Sequence, residues 1–177
     1  MKSIVLIGFM GTGKSVVGRR LAQDLRFNFV DTDILIEKKT GKRISEIFSE
    51  EGGEKRFRLL EEEAVRTVVK QGRSVVSTGG GVVLSQANRD ILREYGTVVW
   101  LKASPELILE RVKKKPGTRP LLLKEDPLLS IKSLLKEREF FYQQAAFSVD
   151  TSQLGVEEVV LQVKKGVLAV EASTNPA

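Results

Sequence analysis

The chain has 177 residues, enough for one domain with a substantial core, and its 41% apolar and 29% charged content is that of an ordinary globular protein. It contains no cysteine and no histidine, which excludes disulfide scaffolds, thiolate metal sites and cysteine nucleophiles; any general base must be a carboxylate, lysine or tyrosine, and any metal must take oxygen ligands, as Mg²⁺ does. A net charge of +6 carried by scattered lysines and arginines fits small anionic ligands better than nucleic acid, and no stretch approaches the ~20 apolar residues of a membrane span, so a cytoplasmic location is expected.

Ser3-Ile4-Val5-Leu6-Ile7 is a continuous apolar run of strand length. No small-residue cleavage site follows it, so it is not read as a signal peptide. It runs into Gly8-Phe9-Met10-Gly11-Thr12-Gly13-Lys14-Ser15, which matches G-x-x-x-x-G-K-[ST], the P-loop pattern. From Ser15 to Leu25 the apolar residues Val16, Val17, Leu21, Ala22 and Leu25 have helical spacing. Strand, glycine loop and helix is the context this motif requires. The glycines let successive N–H groups converge on an anion, and the helix adds its positive N-terminal end. Gly11, Thr12, Gly13, Lys14, Ser15 and Val16 are therefore expected to bind a nucleotide, with Lys14 on the β- and γ-phosphates and Ser15 on Mg²⁺.

Phe27 to Val30 reads as a second strand that ends in Asp31-Thr32-Asp33. Ligands of open α/β sheets lie beyond the carboxyl ends of strands, so both acids point toward the nucleotide. Asp31 is expected to serve the metal and Asp33 an acceptor hydroxyl; the alternative for Asp33 is a cap on a helix from Ile34 to Lys39. Gly41 is a break, and a helix follows from Glu54 to Lys70. Composition makes it a solvated face, although Glu61 is spaced to brace Arg58. Ser74 to Ser77 is a third strand, and Gly79, Gly80 and Gly81 at its end strip the backbone for close approach of a ligand. A helix from Gln86 to Glu94, a strand from Thr97 to Leu101 and a helix from Glu106 to Lys113 come next. The basic, proline-broken segment at about 113–126 reads as a lid that brings Arg119 to the transferring phosphoryl group. A helix opened by Asp126-Pro127, a strand from Ala146 to Asp150, a loop and a helix from Val156 to Val167 complete the chain. The polar residues 171–177 are expected to fray. The alternation predicts a three-layer α/β/α domain over about 1–170, built on a five-stranded parallel sheet. No long exposed apolar stretch demands a partner, so a monomer is expected.

The P-loop, Asp31-Thr32-Asp33, Gly53-Glu54-x-x-Phe57-Arg58, Gly79-Gly80-Gly81, Arg119-Pro120-Leu121-Leu122, and Arg138 followed by Tyr142 together resemble the shikimate kinase family, in the nucleoside-monophosphate-kinase-like branch of P-loop folds. The resemblance runs from Ser3 to about Gly166. It implies transfer of the γ-phosphoryl of ATP to the 3-hydroxyl of shikimate, with a substrate-binding segment at about 32–62. It places Asp33 at the acceptor hydroxyls, Arg58 and Arg138 on the shikimate carboxylate, Gly79 to Gly81 along the ring, and Arg111 with Thr151 to Gln153 near the adenine. Kinases of the same fold for gluconate or a nucleoside monophosphate are the near alternatives. A silent ATP-binding regulatory module is the distant one, although Lys14, Asp33 and Arg119 are all present.

Overall fold

The computed structural model describes residues 1–114 and 126–174. Five strands, β1 (Ser3–Ile7), β2 (Asn28–Asp31), β3 (Ser74–Ser77), β4 (Gly96–Lys102) and β5 (Phe147–Asp150), form one parallel sheet in the order β2-β3-β1-β4-β5. Between and after them run the helices α1 (Lys14–Leu25), α2 (Thr32–Thr40), α3 (Ile44–Ser49), α4 (Gly53–Val68), α5 (Gln86–Tyr95), α6 (Pro105–Lys113), α7 (Pro127–Tyr142) and α8 (Val156–Thr174). A parallel sheet needs a crossover after every strand, and these helices cover both of its faces.

β1 shows why the first apolar run is continuous. Ile4 and Leu6 enter one core with Val17 and Leu21 of α1 and Val159, Val163 and Val167 of α8. Val5 and Ile7 enter the other, with Val65 and Val68 of α4, Leu92 of α5 and Tyr142 of α7. Successive side chains point to opposite faces, and each burial contributes about 1.5–3 kcal/mol. β3 and β4 flank β1 on opposite sides, so the carboxyl end of β1 opens at the point where the chain switches direction across the sheet, the usual ligand crevice of such folds.

The start of α2 is capped by Asp31, whose side chain accepts a hydrogen bond from the Asp33 N–H at 3.1 Å. The capping role considered for Asp33 therefore belongs to its neighbour, and Asp33 lies in the first turn. The last helix continues beyond the expected end at Val167 to Thr174, which corrects the reading of 171–174 as frayed. Glu171 accepts from the Lys2 N–H at 2.7 Å and sits 3.8 Å from the N-terminal amine, which ties the final turns to the start of β1. The segment assigned to a lid, Arg119 included, falls almost wholly outside the described residues.

Candidate active site

The loop after β1 is shaped by its first glycine. Gly8 has φ 142°, and a Cβ there would lie 2.3 Å from the Leu101 carbonyl oxygen, so no other residue fits. Gly13 precedes α1 in the left-handed region at φ 96°. Lys14, the first residue of α1, folds back and donates to the carbonyls of Gly8 and Phe9, each at 2.8 Å. Ser15 donates to Asp31 Oδ2 at 2.7 Å, and its Oγ is 3.3 Å from that of Ser77. β2–β3 pairing sets Asp31 directly opposite Ser77, so this cluster is a product of sheet register. One carboxylate and two hydroxyls are hard oxygen donors, and the set fits Mg²⁺, which fills the rest of its shell with phosphate oxygens and water.

Beside α1 lies a cavity of about 430 Å³ lined by Gly11 to Val17, Arg111, Val112, Lys114, Thr151, Leu154, Val156 and Val159. Arg111 donates to the Gly11 carbonyl at 3.2 Å and to Thr151 Oγ1 and O, both at 3.3 Å. The Thr151 hydroxyl also reaches the carbonyls of Thr12 (3.2 Å) and Lys102 (2.9 Å). Thr151 thus ties the far end of the sheet to the phosphate loop. Gln153 is exposed and does not line this cavity; Leu154 and Val156 do.

A second cavity, of about 230 Å³, opens on the other side of Lys14 and Ser15, and those two residues line both. Its walls include Asp33 from α2, Phe57 and Arg58 from α4, the segment Ser77 to Gly81, and Arg138 from α7. Arg58 Nη1 donates to Glu61 Oε2 at 2.7 Å. Glu61 is only 1% exposed, so at this position the solvated face expected of α4 is buried instead. Burial pushes the Glu61 carboxyl up to about 7; the neighbouring Asp33 adds to the rise, while Arg58 and, more weakly, Arg138 oppose it.

The three glycines leave room for this packing. A Cβ at Gly79 would meet Glu61 Oε1 at 2.6 Å and Asp33 Oδ1 at 2.9 Å, and one at Gly81 would meet Arg58 Nη1 at 2.3 Å. None of the three has a positive φ, so at Gly79 and Gly81 space and not backbone conformation selects glycine, whereas a Cβ at Gly80 would come no closer than 3.3 Å, to the Met10 nitrogen. The Gly80 carbonyl accepts from the Tyr142 hydroxyl at 2.5 Å and from Arg138 Nη1 at 3.4 Å. Arg138 is 4% exposed, with its guanidinium 5.7 Å from the Phe9 ring centroid. Tyr142 is fully buried and stacks on Trp100 at 5.6 Å. Burial holds its phenol neutral, with a pKa pushed up to about 12.

The family model described as shikimate kinase matches residues 10–167. The chain belongs to the shikimate kinase family. It is 47% identical to the shikimate kinase of Caldanaerobacter subterraneus subsp. tengcongensis, over 97% of this chain and 99% of that one. To the shikimate kinase of Thermodesulfovibrio yellowstonii it is 49% identical, over 93% and 94%. Among solved structures, a shikimate kinase from Acinetobacter baumannii in complex with shikimate superposes with a TM-score of 0.90 at 35% identity, covering 96% of this chain and 94% of that one. A gluconokinase from Sinorhizobium meliloti, at 20% identity and TM-score 0.66, shares the fold.

Of the residues singled out in the sequence, the fold brings Gly11 to Val16 together with Arg111 at one cavity, and Asp33, Arg58, Gly79 to Gly81 and Arg138 at the other. Asp31 joins Ser15 between them. Sequence reasoning missed Ser77, Thr32, whose hydroxyl accepts from the Gly79 N–H at 3.0 Å, and the wall formed by Phe48 and Arg43. Each depends on strand register or on packing of the short α3, and no motif marks them. For a shikimate kinase the arrangement is one cleft in two halves, joined at the phosphate loop.

Proposed function

We propose that this chain transfers the γ-phosphoryl group of ATP to the 3-hydroxyl of shikimate, giving shikimate 3-phosphate and ADP. The observation that carries the reading is the position of Lys14 and Ser15, which line both the cavity beside the phosphate loop and the one walled by Asp33, Arg58 and Arg138. A phosphate held at Lys14 faces the acceptor without crossing solvent.

The roles follow from the chemistry of each group. Arg58 and Arg138 are permanently charged forks suited to a carboxylate. Asp33 is an acceptor for the reacting hydroxyl, which it orients and whose proton it receives. The Gly80 and Gly81 backbone lies along the ring. Lys14 neutralises the phosphate oxygens as the γ-group leaves, Arg111 borders the base, and Arg119, which lies outside the described residues, is assigned to the transferring group. Ser15 and Asp31 would hold Mg²⁺, which when bound spreads the charge on the phosphates. Phosphoryl transfer depends on positioning and charge stabilisation more than on a strong base, so a chain without histidine is adequate. We assign it to the cytoplasm, where ATP and Mg²⁺ are supplied, acting as a single-domain monomer; among the described residues no helix is long and apolar enough to cross a membrane.

The test is ADP release from ATP and Mg²⁺ with shikimate, gluconate, a panel of nucleoside monophosphates, and no acceptor. Turnover confined to shikimate is expected. Turnover confined to another acceptor would keep the phosphate-loop roles and overturn the acceptor site.

A further inference from the structure

Among the described residues, four charged side chains gather at the floor of the acceptor cavity, three in its wall and Glu61 behind Arg58. Arg58 and Glu61 come from α4, Asp33 from α2 and Arg138 from α7, with the neutral Tyr142 behind them. Counted over these four, two guanidinium groups face two acids, one of them Glu61 and partly protonated at pH 7, so they carry no excess negative charge before any acceptor enters. The outer charges of the same cavity also offset: Lys14 with Asp31, and Arg43 with Glu37.

An acceptor carboxylate held by Arg58 and Arg138 upsets this balance, since the buried Glu61, the half-buried Asp33 and the incoming acid then gather on two arginines. A buried cluster relieves such an excess by protonating its least supported acid. That acid is Glu61. One of its oxygens is bonded to Arg58, the residue the incoming carboxylate claims, and the other, Oε1, has no hydrogen-bond partner among the described residues. Oε1 and Asp33 Oδ1 both press on Gly79, at 2.6 and 2.9 Å from where its Cβ would be. A proton on Glu61 removes the repulsion on both sides at once.

We propose that Glu61 is a proton-binding site coupled to the acceptor: the carboxylate taken up by Arg58 and Arg138 drives a proton onto Glu61, so acceptor binding at neutral pH consumes a proton from solvent. The inference rests on the reading of Arg58 and Arg138 as the carboxylate grip. The unliganded Glu61 carboxyl, already lifted to about 7, stands where a further push changes its charge. The background is clean, because the chain has no histidine or cysteine and its N-terminal amine lies at the opposite end of β1.

The experiment is calorimetric titration of the nucleotide-free protein with shikimate in pairs of buffers that titrate near the working pH and differ in ionisation enthalpy: MES and piperazine at pH 5, PIPES and imidazole at pH 7, Tricine and Tris at pH 8.5. Uptake of roughly half a proton per acceptor is expected at pH 7, vanishing at pH 5, where Glu61 is protonated before binding. Wild-type affinity should weaken several-fold between pH 6.5 and 8.5. Glu61→Gln should bind shikimate with heats that do not depend on buffer. Wild-type binding that is buffer-independent at pH 7, or uptake that survives in Glu61→Gln, would overturn the inference and leave the carboxylate grip standing. Absence of binding heat in every buffer would overturn the grip itself and the inference with it. The wild-type pH series decides the matter even if the variant does not fold.

Discussion

Between Gly8 and Ser15 the half of the cleft proposed to hold the phosphates is assembled from consecutive residues suited to act largely through the backbone. The proposed acceptor half draws Asp33, Arg58, Gly79 to Gly81 and Arg138 from α2, α4, the loop after β3 and α7, with Glu61 bonded behind Arg58, and all its charged contacts are side chains. The first is a local structure whose geometry the turn and helix impose. The second exists only once the sheet is paired and α4 and α7 are docked. A substitution in the first half should therefore damage one function cleanly, whereas one in the second should travel through the contacts that hold charged groups in place.

The largest effect tests the independence of the phosphate half. Lys14→Ala should lower kcat by at least about 10²–10³-fold, the loss found when one preorganised group for transition-state charge is removed. Shikimate binding measured by calorimetry should change little; a matching loss of acceptor affinity would show that the halves are not separable. Next comes Gly81→Ala. The new methyl group meets the end of the flexible Arg58 side chain, so the fold should persist while the guanidinium swings away. Losing charged hydrogen bonds worth about 1.5–3 kcal/mol should raise the acceptor KM about 10–100-fold with the ATP KM unchanged. A shift in both constants would break the comparison.

Glu61 offers a pH test of the acceptor half. Its carboxyl is lifted from 4.5 to about 7 in the fold, so the native state holds a proton that the unfolded chain releases. Stability is thus fully present below about pH 4.5 and falls as pH rises through 7, by on the order of 2–3 kcal/mol. Glutamine does not titrate, so the urea midpoint of Glu61→Gln relative to wild type should climb between pH 5 and pH 8. A difference that stays flat would mean that Glu61 does not titrate in this window. The smallest effect concerns Tyr142→Phe, which removes the hydrogen bond to the Gly80 carbonyl. Thermal unfolding should show a loss of about 1 kcal/mol, with a few-fold rise in acceptor KM.

The same division explains what the sequence made legible. The phosphate loop is read from eight adjacent letters, and Asp31 and Asp33 from their place at a strand end. Strand number, order of elements and most boundaries follow from hydrophobic period, because both faces of β1 are covered and its run is unbroken. The Arg58–Glu61 pair was visible as helical spacing, yet its burial was not, since that depends on Gly79 offering no side chain across the cavity. Ser77 was invisible until β2 and β3 were placed side by side. Gln153 shows the opposite limit: its loop reaches the nucleotide cavity, but Leu154 and not the amide faces in. The last helix outran its apolar pattern because Glu171 finds partners at the other end of the chain.

Lys14 and Ser15 are neighbours at the start of one helix, and both cavities meet on them. On the proposed assignment, donor and acceptor oxygens come to opposite sides of one point, and the chain has no histidine or cysteine to carry the phosphoryl group between them. Adjacent cavities of this kind call for one direct transfer, without a stop on Asp33 or Ser15. ATP made chiral at its γ-phosphorus should accordingly yield product of the opposite hand at phosphorus, a stereochemical signature of two cavities that share a single floor.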